Sequence, residues 1–111
     1  MRQQLKIYLL ALSFLLFVTS QAFARQLGTL TTIDFPGASF TSGQGINDRG
    51  DIVGRWDSAG VSHGFLLSGG SFTTIDFPGA GFTSLLKINS PGEIVGFYTV
   101  AGVSHGLLLS R

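Results

Sequence analysis

Apolar and polar positions alternate in short runs along this chain, and each run ends at residues that favour turns. Within residues 30–35, Ile33 and Phe35 would lie on one face of a strand, with Thr32 and Asp34 on the other. A proline and a glycine follow at once; proline removes a ladder donor, and glycine accepts unusual backbone angles. The pattern therefore predicts a short strand that stops at this pair.

Three further segments have the same character and follow within one stretch of chain. They span about residues 40–46, 51–56 and 62–68, with turn-forming residues at 47–50 and around 59–60. No helical period is present beyond the first two dozen residues, and the chain's 16 glycines argue against long helices. The sequence therefore predicts an almost purely β protein.

The whole pattern occurs twice. Residues 31–69 align with residues 73–111 without a gap at an offset of 42, and 26 of the 39 aligned pairs are identical. The lead-in 28–30 also matches 70–72 in character, so each unit begins slightly earlier. We therefore expect two structural repeats, residues 25–69 and residues 70–111.

Four short strands in about 42 residues is typical of a blade of a β-propeller, a small antiparallel sheet that stacks against its neighbours. A small β-sandwich or barrel built from both units is an alternative, and a β-solenoid is another. Two units leave open faces and edges, and repeat arrays generally need three or more units for stability. Self-association that completes a propeller is therefore one expectation.

The first 24 residues have the layout of a signal peptide. Arg2 and Lys6 precede a largely apolar run at 7–18, and Ala22-Phe23-Ala24 has the small-x-small form of a cleavage site. The run is shorter than the ~20 residues that a membrane-spanning helix needs. The sequence thus predicts an N-terminal signal-peptide helix, cleavage after Ala24, export to the periplasm or outside the cell, and no stable membrane span afterwards.

Charge and cysteine content exclude several kinds of partner and site for residues 25–111. The full chain has a formal charge of +1, but residues 25–111 carry one more acidic than basic side chain. No basic patch is left for nucleic acid, which we therefore do not expect as a partner. The absence of cysteine excludes disulfides, cysteine zinc sites and a cysteine nucleophile.

Two motifs that recur once per repeat resemble a known family. Ile-Asn-Asp-Arg-Gly-Asp-Ile-Val-Gly at 46–54 and Gly-Val-Ser-His-Gly-Phe-Leu at 60–66 have counterparts at 88–96 and 102–108. They resemble the HAF repeat, a bacterial extracellular family named after a His-Ala-Phe tripeptide. The tripeptide is His63-Gly64-Phe65 here, and His-Gly-Leu in the second repeat. The resemblance implies an exported, propeller-like repeat protein and assigns no activity.

Four residues are candidates for ligand binding. His63 and His105 are the only histidines and are equivalent between repeats, as are Trp56 and Tyr98. Histidines can act as metal ligands or acid–base groups. A residue duplicated with its neighbours is more simply explained as a structural hydrogen-bonding position. The aromatics could stack on a sugar or pack between repeats, so a carbohydrate or another cell-surface component is the expected ligand.

A second set consists of polar and glycine positions that repeat for structural reasons. The aspartates are expected to accept hydrogen bonds from backbone donors of the following turn, the asparagines to begin turns, and the glycines to serve the repeat architecture, Gly50 and Gly92 as turn residues. For the second repeat, Pro91 favours a type II turn over residues 90–93 rather than a turn that begins at the asparagine. The set comprises Asp34, Asp76, Asn47, Asn89, Gly50, Gly92, Gly54 and Gly96.

The sequence lacks a phosphate-binding glycine loop, and no cofactor is expected. The prediction is an exported, non-catalytic binding or interaction module. The main alternative is a remnant of a longer repeat array with no independent function. Self-assembly of two-repeat chains and an enzyme with paired histidines in a channel are two further hypotheses, the last being the weaker.

Overall fold

A computed structural model describes residues 27–111, so the predicted signal peptide and its helix lie outside the described residues. The chain divides into two compact units, Met1–Thr32 and Ile33–Arg111, and the second contains every strand that is described. The strands are β1 (Phe40–Ile46), β2 (Ile52–Ser58), β3 (Val61–Ser68), β4 (Ser71–Ile75), β5 (Phe82–Ile88), β6 (Ile94–Val100) and β7 (Val103–Leu109). The prediction of an all-β protein is confirmed.

The seven strands form one curled, open sheet shaped like a half-barrel. Neighbours pair antiparallel in the order β1-β2-β3 and again in the order β5-β6-β7. A single parallel bridge between Ser62 and Phe82 joins the two groups. β4 lies off this path and pairs antiparallel with the C-terminal part of β3.

The predicted set of four strands per repeat is wrong in one respect. Residues 30–35 form no strand in the described part of the chain, whereas their repeat equivalents form β4. β4 pairs with the last strand of the first repeat rather than within its own repeat. A strand at this position therefore needs the last strand of a preceding repeat as its partner, and no such strand precedes residues 30–35 among the described residues.

Two tight hairpin turns have the same geometry in both repeats. Ala59 and Gly60 connect β2 to β3 with φ angles of 50° and 77°, and Ala101 and Gly102 connect β6 to β7 with 49° and 77°. Positive φ at both central positions is the mark of a type I′ turn, whose twist matches that of the paired strands. The two-residue turns fix the strand register, so that Trp56 faces His63 and Tyr98 faces His105.

The hydrophobic core is shared between the repeats. Val53 and Leu66 of the first repeat cluster with Leu85, Ile88 and Ile94 of the second, and all five side chains are buried. Ile75, Leu107 and Leu109 pack against the cluster from its partly exposed side. Each repeat therefore contributes only part of the buried core.

Close backbone approach between the repeats depends on two glycines. A Cβ atom at Gly45 would lie 2.7 Å from the carbonyl oxygen of Leu86, and one at Gly64 would lie 2.5 Å from that of Ile75. The Leu85 side chain also occupies the space beside Gly64. Any larger residue at either position would therefore push the second repeat away from the first.

Candidate functional site

The asparagine–glycine turns stack directly on each other. The Gly50 amide donates to the Asn47 carbonyl at 3.0 Å, and the Gly92 amide donates to the Asn89 carbonyl at the same distance. The Asn47 side-chain amide then donates to the Asn89 carbonyl oxygen at 3.1 Å. These four residues therefore hold equivalent hairpin tips together, 42 residues apart in the chain.

The prediction of a shifted turn over residues 90–93 is wrong. The hydrogen bond closes over Asn89 to Gly92, as it does in the first repeat. The Asn89 side-chain oxygen accepts from the Glu93 amide at 2.7 Å, and Gly92 adopts a φ of 92° that only glycine accepts easily. These features outweigh the preference of Pro91 for a different turn.

Trp56 and His63 lie in a stack of three rings on the first repeat. The Phe35 and Trp56 ring centroids are 3.9 Å apart with 3° between the planes, and those of Trp56 and His63 are 4.3 Å apart. Both faces of the indole are therefore covered, which leaves no free face for a sugar in this conformation. Carbohydrate binding by this residue stays a prediction.

Tyr98 and His105 form the equivalent stack on the second repeat. The Phe77 and Tyr98 centroids are 3.6 Å apart, and those of Tyr98 and His105 are 5.1 Å apart. The structure thus brings each predicted aromatic together with the histidine of its own repeat, and a phenylalanine that the sequence did not single out completes each stack. His105 is exposed, whereas His63 is partly buried.

The aspartates differ between the repeats. Asp76 Oδ2 lies 2.6 Å from His63 Nδ1, and Asp76 Oδ1 accepts from the Gly64 amide at 3.3 Å. Its partners are thus on β3 of the first repeat and not in the following turn, where they were predicted. The side chains of Asp34 and His105 make no hydrogen bond within residues 27–111, and both residues are exposed.

The outer edges of β3 and β7 also differ, although the two strands have almost the same sequence. β4 covers β3, and Leu66 is only 4% exposed. β7 pairs with β6 alone among the described strands, and Leu108, the equivalent of Leu66, is 63% exposed. The edge of β7 therefore presents unpaired backbone donors and acceptors.

A groove of about 390 Å³ runs beside β7. Its walls are mainly apolar and come from β7, from the segment after β4 and from one aromatic of β6; the lining residues are Ile75, Asp76, Phe77, Pro78, Tyr98 and Gly106 to Leu109. In the first repeat, Phe72 of β4 occupies the corresponding place, with ring centroids 5.2 Å from Phe35 and 5.5 Å from Phe65. The second repeat thus keeps open a site that the first repeat has filled.

Gly54 and Gly96 have a packing role. A Cβ atom at Gly54 would collide with the Ser42 carbonyl oxygen and meet the Phe65 ring at 2.9 Å. At Gly96 it would collide with the Ser84 carbonyl oxygen. Gly54 therefore allows β1 and β2 to lie close together, and Gly96 does the same for β5 and β6.

One contact between the repeats could not be found by comparing the two copies. The Arg55 guanidinium lies over the Phe40 ring at 4.6 Å and over the Phe82 ring at 5.1 Å, and its Nε lies 3.1 Å from Asp57 Oδ1. In the second repeat, Phe97 replaces the arginine and stacks on Phe82 at 5.3 Å. The arginine therefore joins the two repeats through a cation–π contact.

The environment of Asp51 makes its side-chain carboxyl group more acidic. The Ser68 hydroxyl donates to Asp51 Oδ1 at 2.6 Å, and this bond holds the pKa of Asp51 below its ordinary value of 3.8. The Asn47 amide, which donates to Oδ2 at 3.0 Å, and nearby Arg49 lower the pKa further. The charged carboxylate thus links the hairpin tip to the end of β3.

Neither a metal-binding cluster nor a membrane-spanning helix is found among the described residues. Within residues 27–111, no group of three or more histidine, aspartate or glutamate side chains is placed to hold a metal ion. No helix in this part of the chain has the length and apolar character that crossing a membrane requires.

Comparison with known proteins finds no family whose sequence profile matches the chain, no matching curated protein and no matching solved structure. The function is therefore inferred from the geometry of the residues above.

Proposed function

We propose that the protein is an exported, non-catalytic interaction module that binds its partner along the open edge of β7. The contrast between β3 and β7 carries this proposal. Both strands contain the sequence Ser-His-Gly followed by apolar residues, but only β3 has a strand on its outer side. An unpaired edge beside an apolar groove is suited to receiving an extended polypeptide as an added strand.

The occupied first repeat indicates what such a partner needs. There, the Phe72 side chain fills the aromatic site, and the Asp76 carboxylate binds the His63 ring and the Gly64 amide. At β7 the same positions are open at His105 and Gly106. The partner is therefore an extended segment with an apolar side chain followed, four residues later, by a carboxylate.

The non-catalytic part of the proposal rests on the repeat itself. Each histidine lies in the same ring stack of its own repeat, so repeat packing accounts for both without a reaction. Export, membership of the HAF family and a propeller-like arrangement belong to the same proposal. They are supported by the N-terminal sequence, by the recurring motifs and by the way β4 joins the second repeat to the first.

An array of synthetic extended peptides tests the proposal, with glycans on the same array. We expect a subset of peptides to bind the wild-type chain, and the Gly106→Val variant to lose that binding. The Gly106 site is open, with no atom within 4 Å of an added Cβ, so this variant keeps its fold. Absence of peptide binding, or glycan binding that Gly106→Val leaves unchanged, would contradict the proposal.

A further inference from the structure

We infer that the strand bound by β7 is the lead-in segment of a second copy of this chain, residues 29–35, so that copies associate head to tail. This inference rests on the proposed function, because it names the partner of the same edge. The segment equivalent to 29–35 is the one that already covers β3, where β4 and Asp76, the residue after it, form the contact.

The donor sequence matches the requirement closely. Residues 31–38 are identical to residues 73–80, so the portion that would contact β7 repeats most of the portion that contacts β3. Leu30 replaces Phe72 at the position that enters the groove, and it is 90% exposed. Leu30 thus provides an exposed apolar side chain at the position that would enter the groove.

The acceptor sequence matches equally well. Residues 104–110 differ from residues 62–68 only at Leu107, which replaces Phe65. On the donor side, leucine also replaces an aromatic residue, since Leu30 stands where the second repeat has Phe72. Both members of the Phe65–Phe72 edge-to-face contact are therefore leucines in the pair formed between copies, which remains an apolar pair.

The register between copies follows from the existing pairing. Gly64 pairs with Ile75 and Leu67 pairs with Phe72. A shift of 42 residues places Ile33 of a second copy opposite Gly106, and Leu30 opposite Leu109. The parallel bridge of Ser62 with Phe82 similarly predicts one between Ser104 and Phe40 of the second copy.

The polar contacts complete the match. Asp76 binds the His63 ring and the Gly64 amide, and the equivalent groups are Asp34 on the donor and His105 and Gly106 on the acceptor. Within residues 27–111, the side chains of Asp34 and His105 have no hydrogen-bond partner, and both residues are exposed. Pairing two copies would give the carboxylate and the imidazole the bond that their equivalents already make.

The association is directional, because one end of each chain donates and the other accepts. The contact is therefore heterologous, and repetition of it leads to a closed ring or to an open filament. A symmetric dimer that used β7 twice would leave residues 29–35 uncovered and is a different arrangement.

Sedimentation velocity on the purified chain tests the inference over a range from low to high micromolar concentration. We expect the wild-type mass to rise with concentration and the Gly106→Val variant to stay monomeric. A Cβ at Gly64 would lie 2.5 Å from the Ile75 carbonyl oxygen, and the same clash would exclude Ile33 of a second copy. Asp34→Asn should weaken association about tenfold, since it removes a charged acceptor.

Gly81→Ser is the matched control. Gly81 also has no atom within 4 Å of an added Cβ, and serine is its counterpart in the first repeat at position 39, so this variant should associate like the wild type. A wild-type chain that stays monomeric, or a Gly106→Val variant that associates equally, would overturn the inference.

A peptide of residues 28–38 distinguishes failure of the head-to-tail association from failure of the proposed peptide-binding function. In excess, it should dissociate the wild-type oligomers. If the chain is monomeric and other extended peptides bind β7 while this one does not, the inference is wrong and the proposed function stands. If no peptide binds β7 and the chain is monomeric, both are wrong.

Discussion

His63 Nδ1 lies 2.6 Å from Asp76 Oδ2, so a residue of the first repeat is held by the segment that begins the second. The repeat equivalents of these two residues are His105 and Asp34, whose side chains make no hydrogen bond within the described part of the chain. The histidine–aspartate bond is thus formed at His63, whereas His105 has no aspartate partner in the described part of the chain.

The two aspartates should respond differently to the same substitution. Asp76→Asn removes the charge from the bond to His63, and we expect the free energy of unfolding to fall by about 1 kcal/mol, because the carboxylate is partly exposed. Asp34→Asn should change it by less than about 0.5 kcal/mol at concentrations where the chain is monomeric. Urea unfolding of both variants measures the difference, and equal losses would show that Asp76 has no special role.

The alanines in the type I′ turns are strained. Ala59 has a φ of 50°, which is unfavourable for a residue with a Cβ, and asparagine accepts this conformation more readily. Ala59→Asn should therefore raise the free energy of unfolding by about 0.5–1 kcal/mol. Ala101→Asn should act alike, whereas Ala38→Asn, at a position without positive φ, should give no gain.

Arg55 should resist conservative replacement. Lysine cannot keep both the planar contact with Phe40 and Phe82 and the ion pair with Asp57 in its present geometry, so Arg55→Lys should cost about 1 kcal/mol of unfolding free energy. Arg49, whose side chain is 60% exposed, provides the control, and Arg49→Lys should have almost no effect. Thermal unfolding of the two variants compares them, and identical losses would count against the cation–π contact.

Stability should depend on Asp51 at acid pH. The pKa of Asp51 is lowered in the folded protein, chiefly by the Ser68 hydroxyl, so its carboxylate favours folding above the unfolded value of 3.8. This contribution is lost as pH falls below 3.8 and through the folded pKa. The difference in unfolding free energy between wild type and Asp51→Asn should therefore be constant near neutral pH and shrink in acid. A difference that does not change with pH would contradict this assignment.

Export predicts a defined N-terminus. The processed product should begin at Arg25, because cleavage is expected after Ala24. Intact-mass spectrometry of protein from the exported fraction measures this directly. Retention of the apolar run at residues 7–18 in the purified protein would be incompatible with a cleaved signal peptide.

Sequence patterns predicted the strands well where pairing is local. Strands β1 to β3 and β5 to β7 form hairpins, so their alternation and their turn residues are sufficient to identify them. The same patterns did not predict that residues 30–35 form no strand. These residues have the same strand pattern as β4, but a strand also needs a partner, and that partner is the last strand of a preceding repeat.

The candidate site was predicted only in part. Repeat equivalence selected Trp56 with Tyr98 and His63 with His105, and the hairpin register then brings each aromatic to its histidine. The open edge of β7 depends on which strands lack a neighbour, which is a property of the whole sheet. The contact of Arg55 with Phe82 crosses from one repeat to the other, and aligning the repeats with each other does not reveal it.

Disulfide capture between copies tests the central claim most directly, since the natural chain contains no cysteine. Leu67 and Phe72 pair across β3 and β4, and their equivalents are Leu109 and Leu30. When a Leu30→Cys chain is mixed with a Leu109→Cys chain under mild oxidation, we expect a disulfide-linked dimer. A Thr31→Cys chain, one residue out of register, should give much less product. Absence of the dimer, or equal yields from both mixtures, would contradict strand addition at β7.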